Sequence, residues 1–386
     1  MKRTGRLTLV ENLRYKRTYP YIEYHRQRPG YPRHSIYLCL LQVTSDHPYT
    51  LLVLLVVSHA DTKYSYLMSS TDKTPTPLAP AYLPSVALFG STGGCLLSTI
   101  VRLLNSPPPS GGAPQHISVL VRSASKLETL LTTKGVPKET VSSRLRIVEG
   151  DILTDFDKVV QTITLPPDTI HNNDKTFVDV ILFGIGGYPR ATIIPPFFKL
   201  DNPTICQDAM SSVLSALRQS PAYHSDSTMN NKPLILAISS TGLYRGGEDD
   251  PRDLYIPMLV MYRCLLSGPH NDKISMEDLL TAAAVSDLNS DAKSNPLCDY
   301  IVVRGALFNN QPAEAKPLRA GYPKRVPGVG EGVKWGDVAG PAIGCGVSRE
   351  DVGRWIWEEV AGGTAGWNEQ GEYVGEWKGK KVTLTN

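Results

Sequence analysis

The stretch Val86-Ala-Leu-Phe-Gly90-Ser-Thr-Gly93-Gly94-Cys-Leu-Leu97 constrains this chain more than any other part of it. An uninterrupted apolar run enters a glycine-rich turn and is followed by a second apolar segment. A strand apolar on both faces belongs inside a parallel sheet that helices cover on both sides. Glycines at 90, 93 and 94 permit a tight turn and close backbone approach. A helix starting there offers unpaired N–H groups and its positive dipole end to an anion. Gly90, Ser91, Thr92, Gly93 and Gly94 are therefore expected to cradle a phosphate group. One position departs from the Gly-x-x-Gly-x-x-Gly spacing. Its third site is Leu96, which implies a helix shifted away from the strand, with Ser98 or Gly94 taking part of the missing glycine's role.

The alternation continues downstream. Strands are expected at 86–89, 117–121, 145–148, 178–183, 234–238 and 300–303. Helices are expected at 94–104, from Ser125 (with Glu128 completing a capping box) to Gly135, and at about 204–218. A late helix opens at Ser348 and carries Val352, Trp355, Ile356 and Val360 on one face. Strands alternating with helices imply an α/β fold with a doubly wound parallel sheet, the Rossmann fold, over residues 84–362. The Pro-rich stretch 106–114 reads as an insertion between the first helix and second strand.

The second strand ends in Val121-Arg122, with Lys126 four residues later. A domain selective for NAD carries Asp or Glu here to bind the ribose hydroxyls, whereas Arg122 and Lys126 suit a 2′-phosphate. NADP(H) is the expected cofactor, the bland alternative being an ordinary solvated arginine. After the third strand, Asp151 and Ile152 are expected to face the adenine, or Asp151 simply caps the next turn. Gly184, Gly186 and Gly187 follow the fourth strand and leave room for a ribose.

Composition excludes several other classes. The six cysteines are scattered singly, without a Cys-x-x-Cys pair or zinc spacing to a histidine, so no metal site is expected and a reducing, cytoplasmic location is. Residues 1–36 hold nine Lys or Arg against two Glu, although the whole chain is only +3. That tract lacks the aromatic–basic interleaving of a nucleic-acid module, so no nucleic-acid partner is expected. The densest apolar run, 51–57, falls short of the roughly 20 residues of a membrane span. Residues 1–80 read as a basic, disordered extension, with Met68 resembling an ordinary N-terminus. Residues 363–386 read as a tail or small hairpin.

Taken together, the Gly90–Gly94 turn, Arg122 with Lys126, Gly150-Asp151, the small residues after the fourth strand and Ser239-Ser-Thr241 resemble the short-chain dehydrogenase/reductase superfamily. The likeness is to its atypical, NmrA-like branch of NAD(P)-binding proteins, over about 84–360. It implies a Rossmann core whose C-terminal segments form a substrate pocket over the nicotinamide. Reductases of that superfamily use Tyr-x-x-x-Lys, the Tyr donating a proton and the Lys holding the ribose. Lys273, with Glu277 four residues on, matches the Lys, but Pro269 stands where the Tyr belongs. Tyr244, Tyr255 and Tyr262 are followed four residues later by Glu248, Leu259 and Leu266, so none restores the motif. Ser240 or Thr241 are candidates for orienting a carbonyl, Tyr244 or Tyr262 for reaching in from elsewhere, and His270, beside the Lys273 helix, is a further candidate. Two functions follow: an NADPH-dependent oxidoreductase acting on a small carbonyl, enone or quinone-like compound, or a non-catalytic NADP(H) redox sensor signalling through a protein partner. The segments 187–198 and 305–345 are long enough to cover either a small-molecule substrate or a partner.

Overall fold

The computed structural model describes the strands at 23–25, 34–42 and 52–60, and residues 82–386 apart from 108–114, 167–175, 192–197, 220–231, 285–295, 314–317, 325–335, 338–339 and 363–365. The Pro-rich insertion, His171 and the Met68 region thus lie wholly or largely outside the described residues. The chain divides into two units, one of residues 1–76 with 256–261 and one of 77–255 with 262–386. In the first, strands β1 (Glu23–His25), β2 (His34–Gln42) and β3 (Leu52–Ala60) pair as an antiparallel sheet. The extension expected to lack order carries this sheet, and the rest of it lies outside the described residues.

The second unit is built on a nine-stranded sheet. Its first strands are β4 (Val86–Phe89), β5 (Ile117–Val121), β6 (Leu145–Glu149) and β7 (Val180–Phe183). A separate hairpin, β8 (Pro189–Ala191) with β9 (Phe198–Leu200), follows. Then come β10 (Leu234–Ser240), β11 (Asp299–Gly305), the short β12 (Phe308–Asn309), β13 (Arg319–Gly321), β14 (Gly336–Asp337), β15 (Val347–Ser348) and β16 (Lys380–Thr385). The order across the sheet is β14-β13-β16-β11-β10-β7-β4-β5-β6. From β6 to β16 every pairing is parallel, and only β13 runs against β16. This is the doubly wound arrangement expected from the alternating pattern.

The continuous apolar strands divide their side chains between two layers, as a period of two requires. Val86 and Leu88 face α1 (Gly94–Asn105), α2 (Ala124–Thr133) and α3 (Lys138–Arg144). Ala87 and Phe89 face α4 (Phe156–Ile163) and α5 (Ile205–Gln219). After α6 (Ile256–Leu265) comes α7 (Ser267–Ala284), which joins the second layer, while α8 (Arg349–Ile356) joins the first. Each large apolar side chain buried there contributes about 1.5–3 kcal/mol relative to exposure. The contact of α1 with α8 is close because of Gly353, where a Cβ would lie 2.5 Å from Ser98 Cβ and 2.6 Å from the Cys95 carbonyl oxygen. Ser98 and Thr99 donate across it to the carbonyls of Glu350 (3.3 Å) and Gly353 (3.2 Å).

Two expectations need correction. The cap of α2 is Ser123, whose Oγ accepts from the Lys126 N–H at 3.3 Å, so Ser125 and Glu128 form no capping box. The Glu149 carboxylate, arriving from β6, accepts from the Ala124 N–H at 2.9 Å instead. The segment 363–386, expected to be a tail or a small hairpin, also reaches the main sheet. Trp367 and Tyr373 form an antiparallel bridge, and β16 inserts between β11 and β13 in the main sheet. Among the described residues no helix is long and apolar enough to cross a membrane.

Candidate functional site

Strand order reverses between β4 and β7, and in open α/β sheets ligands bind at such a switch point, beyond the carboxyl ends of the strands. A cavity of about 740 Å³ lies there. Gly90, Ser91, Thr92, Gly93, Arg122, Lys126, Asp151, Ile152 and Gly184 all line it, as do Gly186 and Gly187. Gly94, Ser240, Thr241 and Lys273 are not part of its lining.

Gly90 has φ +87°, and a Cβ on it would sit 2.6 Å from the Gly184 carbonyl carbon, so both strain and contact demand glycine. The turn closes with a 2.9 Å bond from the Gly93 N–H to the Gly90 carbonyl, and no side chain caps α1. Leu96 does not displace the helix as expected. Its side chain fills the space beside Gly184, where a Cβ would come within 2.7 Å of Leu96 Cδ1. The close approach that the fingerprint obtains from a third glycine on the helix is obtained here from the glycine that directly follows β7. Ser91 is fully buried and its hydroxyl has no hydrogen-bond partner among the described residues. A buried hydroxyl left unpaired costs about 1–3 kcal/mol, and such a group marks a place for a ligand or ordered water.

Arg122 is exposed at the cavity wall and makes no ion pair among the described residues; neither does Lys126. Asp151 is partly committed, its Oδ1 accepting from the Leu153 N–H at 2.9 Å, so the capping role and a place in the cavity wall coexist. Sequence reasoning missed the opposite wall: Tyr188, Asp201, Asn202 and Ile205. Tyr188 is 85% exposed at the cavity mouth. Asp201 pairs with Arg190 at 2.7 Å, and Asn202 Oδ1 accepts from the Thr204 N–H at 3.1 Å. The N-terminus of α5 beside them is held by Asp272, whose carboxylate accepts from the Cys206 and Gln207 N–H groups, each at 2.9 Å.

The residues expected to be catalytic gather at the end of β10. Lys273 donates from Nζ to the Ile238 carbonyl at 3.2 Å, and Ser240 to the Thr241 carbonyl at 3.2 Å. Behind them lies a buried charge cluster that the sequence did not reveal. Arg304, on β11, meets Asp250 at 2.6 Å and Glu277 at 2.7 Å, with Asp253 at 3.5 Å. Glu277 also accepts from the Ser239 hydroxyl at 2.6 Å, which ties the Lys-x-x-x-Glu turn of α7 to the strand end. Burial raises the Asp253 carboxyl to about 6, against the pull of Arg304. Burial also lifts the Tyr262 phenol to about 12, with Thr241 opposing and Asp253 reinforcing the rise. Burial and the Lys273 charge lower His270 to about 4. Thr241 Oγ1 lies beside that phenol without a hydrogen bond of normal geometry, and among the described residues Asp253 Oδ2 and His270 Nε2 likewise have no hydrogen bond. At neutral pH the imidazole and phenol are thus both uncharged. The thiols of Cys95 and Cys206 are pushed up to about 12 by burial and are poor nucleophiles. Among the described residues no group of His, Cys, Asp or Glu could hold a metal ion.

No family model matches the chain. Among solved structures, an alcohol dehydrogenase from the archaeon Thermococcus sibiricus complexed with 5-hydroxy-NADP aligns over 70% of this chain and 88% of its own (14% identity, TM-score 0.37). YwfH, an NADPH-dependent reductase of bacilysin biosynthesis, aligns over 73% and 92% (10% identity, TM-score 0.37). Likenesses this loose transfer no residue and no ligand. Sequence relatives are nearer. Reductase pytE of Aspergillus terreus is 32% identical over 280 residues, 71% of this chain and 90% of that protein. Oxidase pynE of Aspergillus niger is 30% identical over 287 residues, 71% and 91%. Aligned over nine-tenths of their length, these relatives place the chain: it belongs to the family of oxidoreductases that includes reductase pytE and oxidase pynE.

Proposed function

We propose that this protein is an NADP(H)-dependent oxidoreductase acting on a small carbonyl, enone or quinone-like compound. The observation that carries the reading is the pair of unneutralised cations, Arg122 and Lys126, on the wall of the cavity that also holds the Gly90–Gly93 turn. The residues fit the cofactor: the Ser91 hydroxyl is orphaned, and the Gly90 cradle would be filled by a Cβ. Arg122 and Lys126 would hold the 2′-phosphate, the glycine turn with Ser91 the diphosphate, and Gly184, Gly186 and Gly187 a ribose. When bound, the group supplies or receives hydride. Lys273, fixed on the Ile238 carbonyl, would hold the nicotinamide ribose, and the hydroxyls of Ser240 and Thr241 at the end of β10 would orient a substrate oxygen. With Pro269 in place of the tyrosine, water or a hydroxyl at this strand end would have to exchange the proton. The names of the relatives, one a reductase and one an oxidase, leave the direction to the substrate. An NmrA-like placement and a cytoplasmic location belong to the same reading.

The test is a titration of the full chain with NADPH and NADH, followed by tryptophan quenching and thermal shift. NADPH is expected to bind more tightly, and Arg122→Glu to weaken NADPH at least tenfold more than NADH. Equal losses for both nucleotides would refute the assignment of Arg122. Pro269 favours a second reading, the redox sensor acting through a protein partner. Tight NADPH binding with no turnover across a carbonyl and quinone panel would support it.

A further inference from the structure

Arg349 is the first residue of α8, directly after its cap Ser348. Its stem lies across Gly94, the first residue of α1: a Cβ on Gly94 would come within 2.5 Å of Arg349 Cδ and 3.3 Å of its Cβ. The guanidinium donates to Asn310 Oδ1 at 2.8 Å and sits 5.8 Å from the centre of the Phe308 ring. Its charge acts on the Cys95 thiol in the first turn of α1. The cation therefore stands at the N-terminal ends of two helices at once, where the backbone dipoles favour negative charge and disfavour positive charge.

Glu350 is taken by Lys134 at 2.8 Å and Asp351 by Arg354 at 2.6 Å, and Arg349 makes no ion pair among the described residues. The same glycine turn holds the second, independent sign of a missing anion, the fully buried and unpartnered Ser91 hydroxyl. A cation fixed in an unfavourable field, an uncapped helix start and an orphaned hydroxyl are all satisfied by one anionic group at the turn.

We propose that Arg349 binds the diphosphate of the dinucleotide, closing from the C-terminal part of the chain the subsite that the Gly90–Gly94 turn opens. The assignment rests on the dinucleotide reading above and makes a distinct demand of it. NADPH and NADH share the diphosphate and differ in the 2′-phosphate. Arg349 must then serve both nucleotides alike, while Arg122 distinguishes them.

The experiment compares the full-length wild type with Arg349→Gln, Arg349→Lys, Asn310→Ala and Arg122→Gln, measuring affinity for NADPH, NADH and inorganic pyrophosphate over a salt series. Arg349→Gln is expected to weaken all three about tenfold and to flatten the salt dependence. Arg349→Lys should recover part of the loss, since it keeps the charge but not the fork. Arg122→Gln should affect NADPH alone. Affinities of Arg349→Gln within twofold of wild type, or a loss confined to NADPH, would overturn the proposal. Should Arg349→Gln prove poorly folded, Asn310→Ala decides, because it frees the guanidinium without removing it: weaker pyrophosphate binding supports the role and unchanged binding overturns it. Pyrophosphate binding that depends on Arg349, without binding of either nucleotide, would retain the anion site and sink the dinucleotide reading. A wild type that binds none of the three overturns both.

Discussion

Two regions of the same sheet treat positive charge in opposite ways. Around the glycine turn after β4, Arg122, Lys126 and Arg349 stand without a carboxylate among the described residues. At the ends of β10 and β11, Arg304 is fully buried and faces Asp250, Asp253 and Glu277, with Lys381 at 3.6 Å from Asp250. The first region leaves its cations open to an anion, whereas the second pairs its cation within the chain. A cation whose partners are built in holds elements together, and one whose partners are left out waits for a ligand.

The largest expected effect breaks the complete cluster. Arg304→Met leaves the buried Asp250 and Glu277 with only Lys381, at 3.6 and 3.7 Å, as counter-charge and is expected to cost about 3–5 kcal/mol. Urea unfolding measures it, and a cost under about 1 kcal/mol would mean the cluster is not structural. Next comes the interlock at the turn. Gly184→Ala pushes against Leu96 and is expected to cost about 1–3 kcal/mol. Combined with Leu96→Ala the two losses should sum to more than the double variant shows; strict additivity would deny the contact.

The Asp253 carboxyl sharpens the contrast through pH. Its folded value, about 6, lies above its ordinary 3.8, so between those values the folded state keeps a proton that the unfolded chain has released. Its contribution therefore favours the fold at the acid end and is lost as pH rises through about 6. Asp250 runs the other way: burial would raise it, but the hydrogen bonds and charge of Arg304 hold it low. Comparing Asp253→Asn with wild type isolates the first group. The gap between them should change by about 1–3 kcal/mol from pH 4 to 7, and a constant gap would place that carboxyl in contact with water. The smallest effect belongs to the exposed Lys134–Glu350 pair, where Lys134→Ala should cost under about 1 kcal/mol. By freeing Glu350 near Arg349, however, it should also weaken pyrophosphate binding. No change in binding would separate Glu350 from the anion site.

The strands of the doubly wound sheet were legible because burial on both faces leaves continuous apolar runs. The expected 86–89 and 117–121 coincide with β4 and β5, and β10 and β11 differ only at their ends. That Gly90–Gly93, Arg122 and Asp151 share one cavity was legible for a related reason: they sit directly after strands, where a parallel sheet must place its loop ends together. What escaped was brought in from a distance. β16 begins with two lysines and alternates weakly, so nothing local marks it as an interior strand. Asp250 and Asp253 share one loop, whereas Glu277 and Arg304 come from a helix and a strand far along the chain, so no local spacing marks the cluster. Ser123 was passed over for Ser125 because both satisfy the same local rule, and only the backbone at Ser123 chooses between them.

The Leu96–Gly184 exchange bears on how such a site can have arisen. With leucine at 96, any larger residue at 184 meets its branch, whereas glycine at 184 with a small residue at 96 leaves only a void. Voids are graded in cost, and collisions against a strand backbone are harder to relieve. Glycine at 184 is therefore the permissive step and leucine at 96 the one that follows, after which position 184 cannot change alone.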